Sequence, residues 1–260
     1  MNYEKVLYSL QDGVARISMN DPATRNAGSA QMGEELVDAF NRAGFEARAV
    51  LFTGEGKGFN SGANLADAEA LLDDPMRDVG GLLDRYYNPI ITKMKEMEQP
   101  IVTAVRGAAA GVGCGLAMAG DLIVCGEGGF FLQAFRHVGL VPDGGSSWLL
   151  TRAVGRVRAM EMMLLGERLY GKQAFEWGLV NRVVPDEEVE GTAMELASAL
   201  AKGPRSLGMI KRIAWAAADV SLEQALTNER LGQRAACRTE DFVEGVTAFA
   251  AKRQAEFKGK

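Results

Sequence analysis

Three short apolar runs, ARAVLFTG at 47–54, PIVTAVRG at 100–107 and DLIVCGE at 121–127, each end in glycine or a charged residue. Runs of this length, rich in Val, Ile and Leu, read as strands buried on both faces. Between the first two lies a long amphipathic stretch with Leu82, Leu83, Tyr86, Tyr87, Ile90, Ile91, Met94 and Met97 at helical spacing, expected to bend at Pro89. Between the second and third is a glycine- and alanine-rich segment expected to end in a helix. Strands alternating with helices require crossover connections, and so an α/β fold with a largely parallel core.

The flanks fit this plan. Residues 6–10 and 14–19 form a hairpin around Gln11-Asp12-Gly13. The loop NDPATRNAG follows, and Ser29 caps a helix whose apolar face carries Met32, Leu36, Val37 and Phe40. Beyond Asp143 the chain reads as helical over 144–153, 155–165, 171–177, 186–202, 204–218, 221–237 and 240–253, interrupted by a strand in LVNRVVP at 179–185. There is no internal repeat, low-complexity tract or linker. The carboxyl end reads as a helical subdomain packed on the core or on a neighbouring subunit.

Composition narrows the function. Of the 260 residues 47% are hydrophobic and 24% charged, enough apolar material for a sizeable core and too much for disorder. A net charge of −5 argues against a nucleic-acid partner, which needs a basic face, but permits an anionic small ligand held by backbone N–H groups. The start MNYEKVLYSLQDG has no apolar signal core, and residues 107–120 are too short and glycine-rich to span a membrane, so a cytoplasmic protein is expected. Cys114, Cys125 and Cys237 form no CxxC, and His137 is the one histidine, so neither a metal site nor a serine-histidine triad is expected.

Chemistry is therefore sought in two strand exits, TGEGKGFNSGANL at 53–65 and RGAAAGVGCGLAMAGD at 106–121. A phosphate-binding P-loop is excluded because Gly58 follows Gly56-Lys57 where a hydroxyl residue belongs. A dinucleotide fingerprint is excluded because Gly111-Val112-Gly113-Cys114-Gly115 has the wrong spacing and lies mid-chain. What remains is close helix–strand packing, or two neighbouring loops that each aim one backbone N–H at the same oxygen.

The stretches AVLFTGEGKGFNSGANL, PIVTAVRGAAAGVGCGLAMAGDLIV, GLVPDGGSSWLLTRAVGRVRAMEMMLLGERLYGKQAFEWGLVNRVV and EGVTAFAAKRQAEFKG resemble, in order and over essentially the whole chain, the enoyl-CoA hydratase/isomerase (crotonase) family. The resemblance implies a crotonase-like spiral of ββα units over residues 1–190 and a C-terminal helical trimerisation region over 191–260. It implies an acyl-CoA thioester as ligand, a homotrimer or dimer of trimers, and no cofactor beyond the CoA of the substrate. Carried over, the oxyanion donors are the N–H groups of Ala63 and Val112, the latter a departure because glycine is common there. The CoA adenine would run along Ala63, Asn64, Leu65 and Ala66, near Arg25 and Ala27, with Ser61 in the same loop and Phe135 lining the acyl side. The two glutamates of typical hydratases fall at Gly115 and Phe135, so both acids are missing.

Asp143, in GLVPDGGSSWLL, is left as the acidic candidate. It is similar to the acid in the PDGGxxWLL stretch of phenylacetate-pathway-type enoyl-CoA isomerases and to the nucleophilic aspartate of 4-chlorobenzoyl-CoA dehalogenases. Its position before two glycines and an apolar helix also suits an N-cap, a structural role. A double-bond isomerase with Asp143 as proton shuttle is the expectation. A hydratase, an aspartate-nucleophile dehalogenase or hydrolase, and a silent acyl-CoA binder are its rivals.

Overall fold

The computed structural model describes residues 2–64, 69 and 72–260. Among them the strands form two sheets. The larger has the order β1 (Val6–Gln11), β2 (Val14–Met19), β3 (Ala49–Gly54), β4 (Ile101–Val105), β6 (Leu122–Gly126), β9 (Arg182–Val184). The smaller has the order β5 (Ala108–Ala110), β7 (Phe130–Leu132), β8 (Arg168–Tyr170). The hairpin β1–β2 turns at Asp12 and Gly13, both with positive φ, and is antiparallel. From β2 to β9 each neighbour in the larger sheet is parallel, as the crossovers require.

The repeating unit is a strand of the larger sheet followed at once by an extended segment of the smaller layer. Thus β4 runs into β5 and β6 into β7, with Ala108–Ala110 paired in parallel to Phe130–Leu132. Earlier turns contribute single residues: Asn60, after β3, bridges Ala109, and Gly28, after β2, bridges Ala63. The second layer therefore lines up residues 28, 60–63, 108–110 and 130–132, which is a spiral of ββα turns. The short strands β5, β7 and β8 escape the sequence reading because three residues, in one case Ala-Ala-Ala, carry neither alternation nor a β-branched run.

The larger sheet is buried on both faces, which accounts for its unbroken apolar runs. Val50 and Phe52 face helix α1 (Ala30–Glu46), which presents Met32, Leu36 and Phe40. Ala49 and Leu51 face helix α7 (Val189–Ala201), which presents Val189, Ala193, Ala197 and Ala201. Helix α7 crosses residue 190 and packs against the sheet. Ser29 caps α1 by accepting from the N–H of Met32 at 3.2 Å.

The helical stretch runs through Pro89, as expected. Helix α2 (Asn88–Glu96) carries it in its first turn and follows directly on a wide π-helical turn, Leu83–Tyr87. The missing N–H is placed in a first turn, where it is harmless, and the widened turn takes up the irregularity. The order continues with α3 (Val112–Met118), α4 (Ser146–Val154), α5 (Arg156–Leu165), α6 (Gly171–Glu176), α8 (Ser206–Ala217), α9 (Leu222–Ala236) and α10 (Glu240–Ala250). The basic tail folds back on its own chain: the N–H groups of Lys258 and Gly259 donate to the Asp241 carboxylate at 2.7 and 2.9 Å, and Arg253 pairs with Glu244 at 2.6 Å. Among the described residues no helix is long and apolar enough to cross a membrane.

Candidate active site

The spiral sets the two glycine-rich exits side by side. In the first, the N–H of Gly28 donates to the carbonyl of Gly62 and the N–H of Asn64 to the carbonyl of Gly28, at 2.8 and 3.1 Å. Both bonds flank Ala63, so the N–H and C=O of Ala63 itself point to the other side of the strand. That side is the one occupied by the second exit: the Gly62 Cα lies 3.5 Å from where a Cβ on Gly111 would stand. Val112 opens α3, and a first-turn N–H has no partner within its helix. Gly62 and Gly111 hold φ of 100° and 53°, a backbone that side chains resist, and this is what turns each chain toward the other.

Asn60 is the residue that locks the arrangement, and the sequence reading passed over it. Fully buried, it bridges Ala109, accepts from the N–H of Gly62 at 2.9 Å and donates to the carbonyl of Asn26 at 2.5 Å. It also underlies Gly113, where a Cβ would strike its side chain. Asn26, also buried, holds the first exit by donating to the carbonyls of Glu55 and Gly58, each at 2.9 Å. An asparagine beside Ser-Gly in a loop was the available signal, but its many partners are remote in sequence.

The remaining candidates fall around this centre. Arg25 adopts a left-handed conformation and its carbonyl accepts from the N–H of Ser61 at 3.1 Å. The Ser61 hydroxyl donates to the carbonyl of Thr24 at 2.9 Å, a loop staple with no nucleophilic arrangement. Ala27 is buried beside the same loop, and the Phe135 ring lies over Gly111. Leu65 and Ala66 lie outside the described residues.

Asp143 sits against the second exit. Its neighbour Gly144 is so close to Val112 that a Cβ there would stand 3.0 Å from the valine Cγ2, and a Cβ on Gly115 would collide with the Gly144 carbonyl. At position 115, where the resemblance places a hydratase glutamate, main chain is therefore packed on main chain. The helix-cap alternative is not realised. Gly145 is the N-cap of α4, no side chain caps it, and the Ser146 N–H bonds to the main-chain carbonyl of Asp143 at 2.9 Å. Among the described residues the Asp143 side chain has no hydrogen-bond or ion-pair partner, and its Oδ1 is buried. Burial raises its pKa from the ordinary 3.8 to about 6.

A separate cavity of about 500 Å³ lies along α4 against α8 and does not include Asp143, Ala63 or Val112. Its charged residues are already engaged: Lys211 with Asp121 at 2.9 Å and Arg152 with Asp219 at 2.6 Å. Trp148 is stacked on Trp215 in that region, with ring centroids 5.9 Å apart. The Asp143 carboxylate, by contrast, has no partner among the described residues. No group of three His, Cys, Asp or Glu suited to a metal occurs among the described residues.

This geometry agrees with the family comparison. The family model for enoyl-CoA hydratase/isomerase matches residues 9–260. The chain belongs to that family. It is 38% identical over 260 residues to the 1,2-epoxyphenylacetyl-CoA isomerase of Escherichia coli (strain K12), covering 99% of each chain. It is 33% identical to 4-chlorobenzoyl coenzyme A dehalogenase-2 of an Arthrobacter species, covering 93% of this chain and 88% of that one. Among solved structures, an enoyl-CoA hydratase from Polaromonas sp. JS666 superposes with a TM-score of 0.90 at 28% identity, covering 97% of this chain and 99% of that chain. The crotonase fold is thus shared, while the relatives divide over three reactions.

Proposed function

We propose that this member of the enoyl-CoA hydratase/isomerase family moves a carbon–carbon double bond in an acyl-CoA, with Asp143 carrying the proton. The observation that carries the reading is the unpartnered Asp143 carboxylate, whose neighbour Gly144 packs on Val112, combined with glycine at 115 and phenylalanine at 135. The thioester oxygen lies between the N–H groups of Ala63 and Val112. The Asp143 carboxylate removes a proton from C2 of a 3-enoyl thioester. The electron pair shifts into a dienolate whose charge gathers on the thioester oxygen, where each donor is worth about 3 kcal/mol. The protonated Asp143 then returns the same proton to C4, leaving the double bond between C2 and C3. No water enters, so a second acid is unnecessary.

The raised proton affinity suits this work. A base at about 6 is ionised at neutral pH yet holds a proton more firmly than an ordinary aspartate, which lessens the mismatch with a carbon acid. CoA lies along the first exit, over Ala63 and Asn64 near Arg25 and Ala27. The C-terminal helices, with Leu222, Leu226, Phe242 and Phe249 exposed, are where copies assemble into a homotrimer or dimer of trimers.

The test is Asp143→Asn assayed for conversion of 3-enoyl-CoA to 2-enoyl-CoA in heavy water. A fall in kcat of at least about 10²-fold is expected, and undiminished turnover removes Asp143 from the mechanism. Hydration is the second reading, favoured by the hydratase among the structural neighbours. Solvent oxygen appearing in the product would establish it in place of isomerisation.

A further inference from the structure

Asp143 stands on a turn that does not fix its own shape. The turn runs from Asp143 to Ser146, is closed by the bond from the Ser146 N–H to the Asp143 carbonyl at 2.9 Å, and carries Gly144 and Gly145 at its centre with φ of 55° and 71°. Two glycines adopt that conformation without strain and leave it as readily, so the direction of the Asp143 side chain depends on what packs on the turn from outside.

That packing comes from few atoms. The three heavy atoms nearest to the place where a Gly144 Cβ would stand all belong to Val112: its Cγ2 at 3.0 Å, and its Cα and carbonyl oxygen each at 3.4 Å. Gly145 rests on Ile91 Cγ2, 3.4 Å from its own missing Cβ. Val112 is 2% exposed, and its branch at Cβ leaves it little rotational freedom, so it is a stiff support. Val112 is thus the side chain set against the residue bonded directly to Asp143.

The same elements bring Asp143 no charge. Helix α3 carries no charged residue. On α4, Arg152 engages Asp219; on α2, Lys95 lies over the Trp148 ring, Lys93 reaches Gly44 and Glu96 is exposed. Ahead of the turn, Arg136 and His137 are held by the carbonyls of Leu164 and Gly166. Burial is the one cause of the raised proton affinity of Asp143, so whatever fixes the turn also governs that affinity.

Resting on the isomerase reading above, we infer that the Val112 side chain is a positioning group for Asp143: its γ carbons brace Gly144 and keep the carboxylate in the site rather than in water, while the N–H of the same residue serves the thioester oxygen. The two halves of the site are thereby tied together at one residue, a role that glycine at 112 would not fill.

The test is Val112→Ala, which removes both γ carbons and keeps the N–H. The acid limb of kcat/KM for 3-enoyl-CoA, expected near 6 in the wild type, should move down by about one pH unit toward 3.8. The fall in rate should lie in kcat, about tenfold, with KM within about twofold. Val112→Ile, which fills both γ positions, should keep the wild-type limb. Thermal unfolding supplies a readout without turnover: the extra Tm that Asp143→Asn brings at pH 8 relative to pH 4 should be roughly halved in the Val112→Ala background, because a carboxylate that reaches water loses less on folding. Val112→Gly takes the place of Val112→Ala if the latter does not fold. A variant with both the acid limb and the Tm difference unchanged overturns the inference. Full turnover by Asp143→Asn, with the Tm difference still dependent on Val112, removes the proposed reaction and leaves the brace standing.

Discussion

Replacing Asp143 by Asn should stabilise the protein at high pH and not at low pH. In the folded chain burial holds the Asp143 proton up to about 6, whereas the unfolded chain releases it near the ordinary 3.8. Between those values the folded form binds more protons, so stability falls as pH rises through the interval. Below about 3.8 there is no penalty, and above about 6 it is complete. At about 1.4 kcal/mol per pKa unit the full penalty is at most ~3 kcal/mol, and partial solvent access reduces it to about 1–2 kcal/mol. For a chain of this size that corresponds to about 2–4 °C in Tm. Paired thermal unfolding of wild type and Asp143→Asn from pH 4 to pH 8 should therefore show a Tm gain for the variant that grows through the range and levels off above pH 6–7. A constant offset would come from the amide alone. A difference independent of pH, or a variant less stable than wild type at pH 8, would refute the reasoning, because the carboxylate would then have a favourable partner.

Asn60→Ala deprives the Gly62 N–H and the Asn26 carbonyl of their partner in a buried position, and should cost about 2–4 kcal/mol in urea unfolding while weakening acyl-CoA binding. Gly115→Glu, which restores an acid where hydratases have one, should destabilise by ~2–3 kcal/mol and yield no hydration product, because the Gly144 carbonyl occupies the space. Ser29→Ala should cost about 1 kcal/mol by removing the α1 cap, with turnover unchanged when assayed at a temperature where the variant is folded.

The larger sheet could be read from the chain because its determinants are local. Val50, Phe52, Ile101, Val102 and Ile123 lie in uninterrupted apolar runs, and only a strand covered on both faces keeps such a run buried. The Ser29 cap and the Asp12-Gly13 turn were legible for the same reason, since each acts within a few residues of itself. The smaller layer was not. Asn60 and Ala109 are neighbours only because β3 and β4 align in register, and nothing in Ala108–Ala110 announces a strand before that alignment exists.

The candidate site divides along the same line. Sequence alone determined its residue types: two glycine-rich exits, a solitary acid in Pro-Asp-Gly-Gly, and glycine and phenylalanine where two glutamates would stand. It favoured Asp143 as reactive acid over helix cap mainly through the family resemblance, because the local pattern suits both. Only the tertiary structure decided that Gly145 opens the helix, that Ala63 turns its N–H away from Gly28, and that the half-buried Asp143 carboxylate has no partner among the described residues. Propensity and spacing are properties of a segment, whereas burial, orphaned hydrogen-bonding groups and raised proton affinity arise from atoms that distant segments bring into contact.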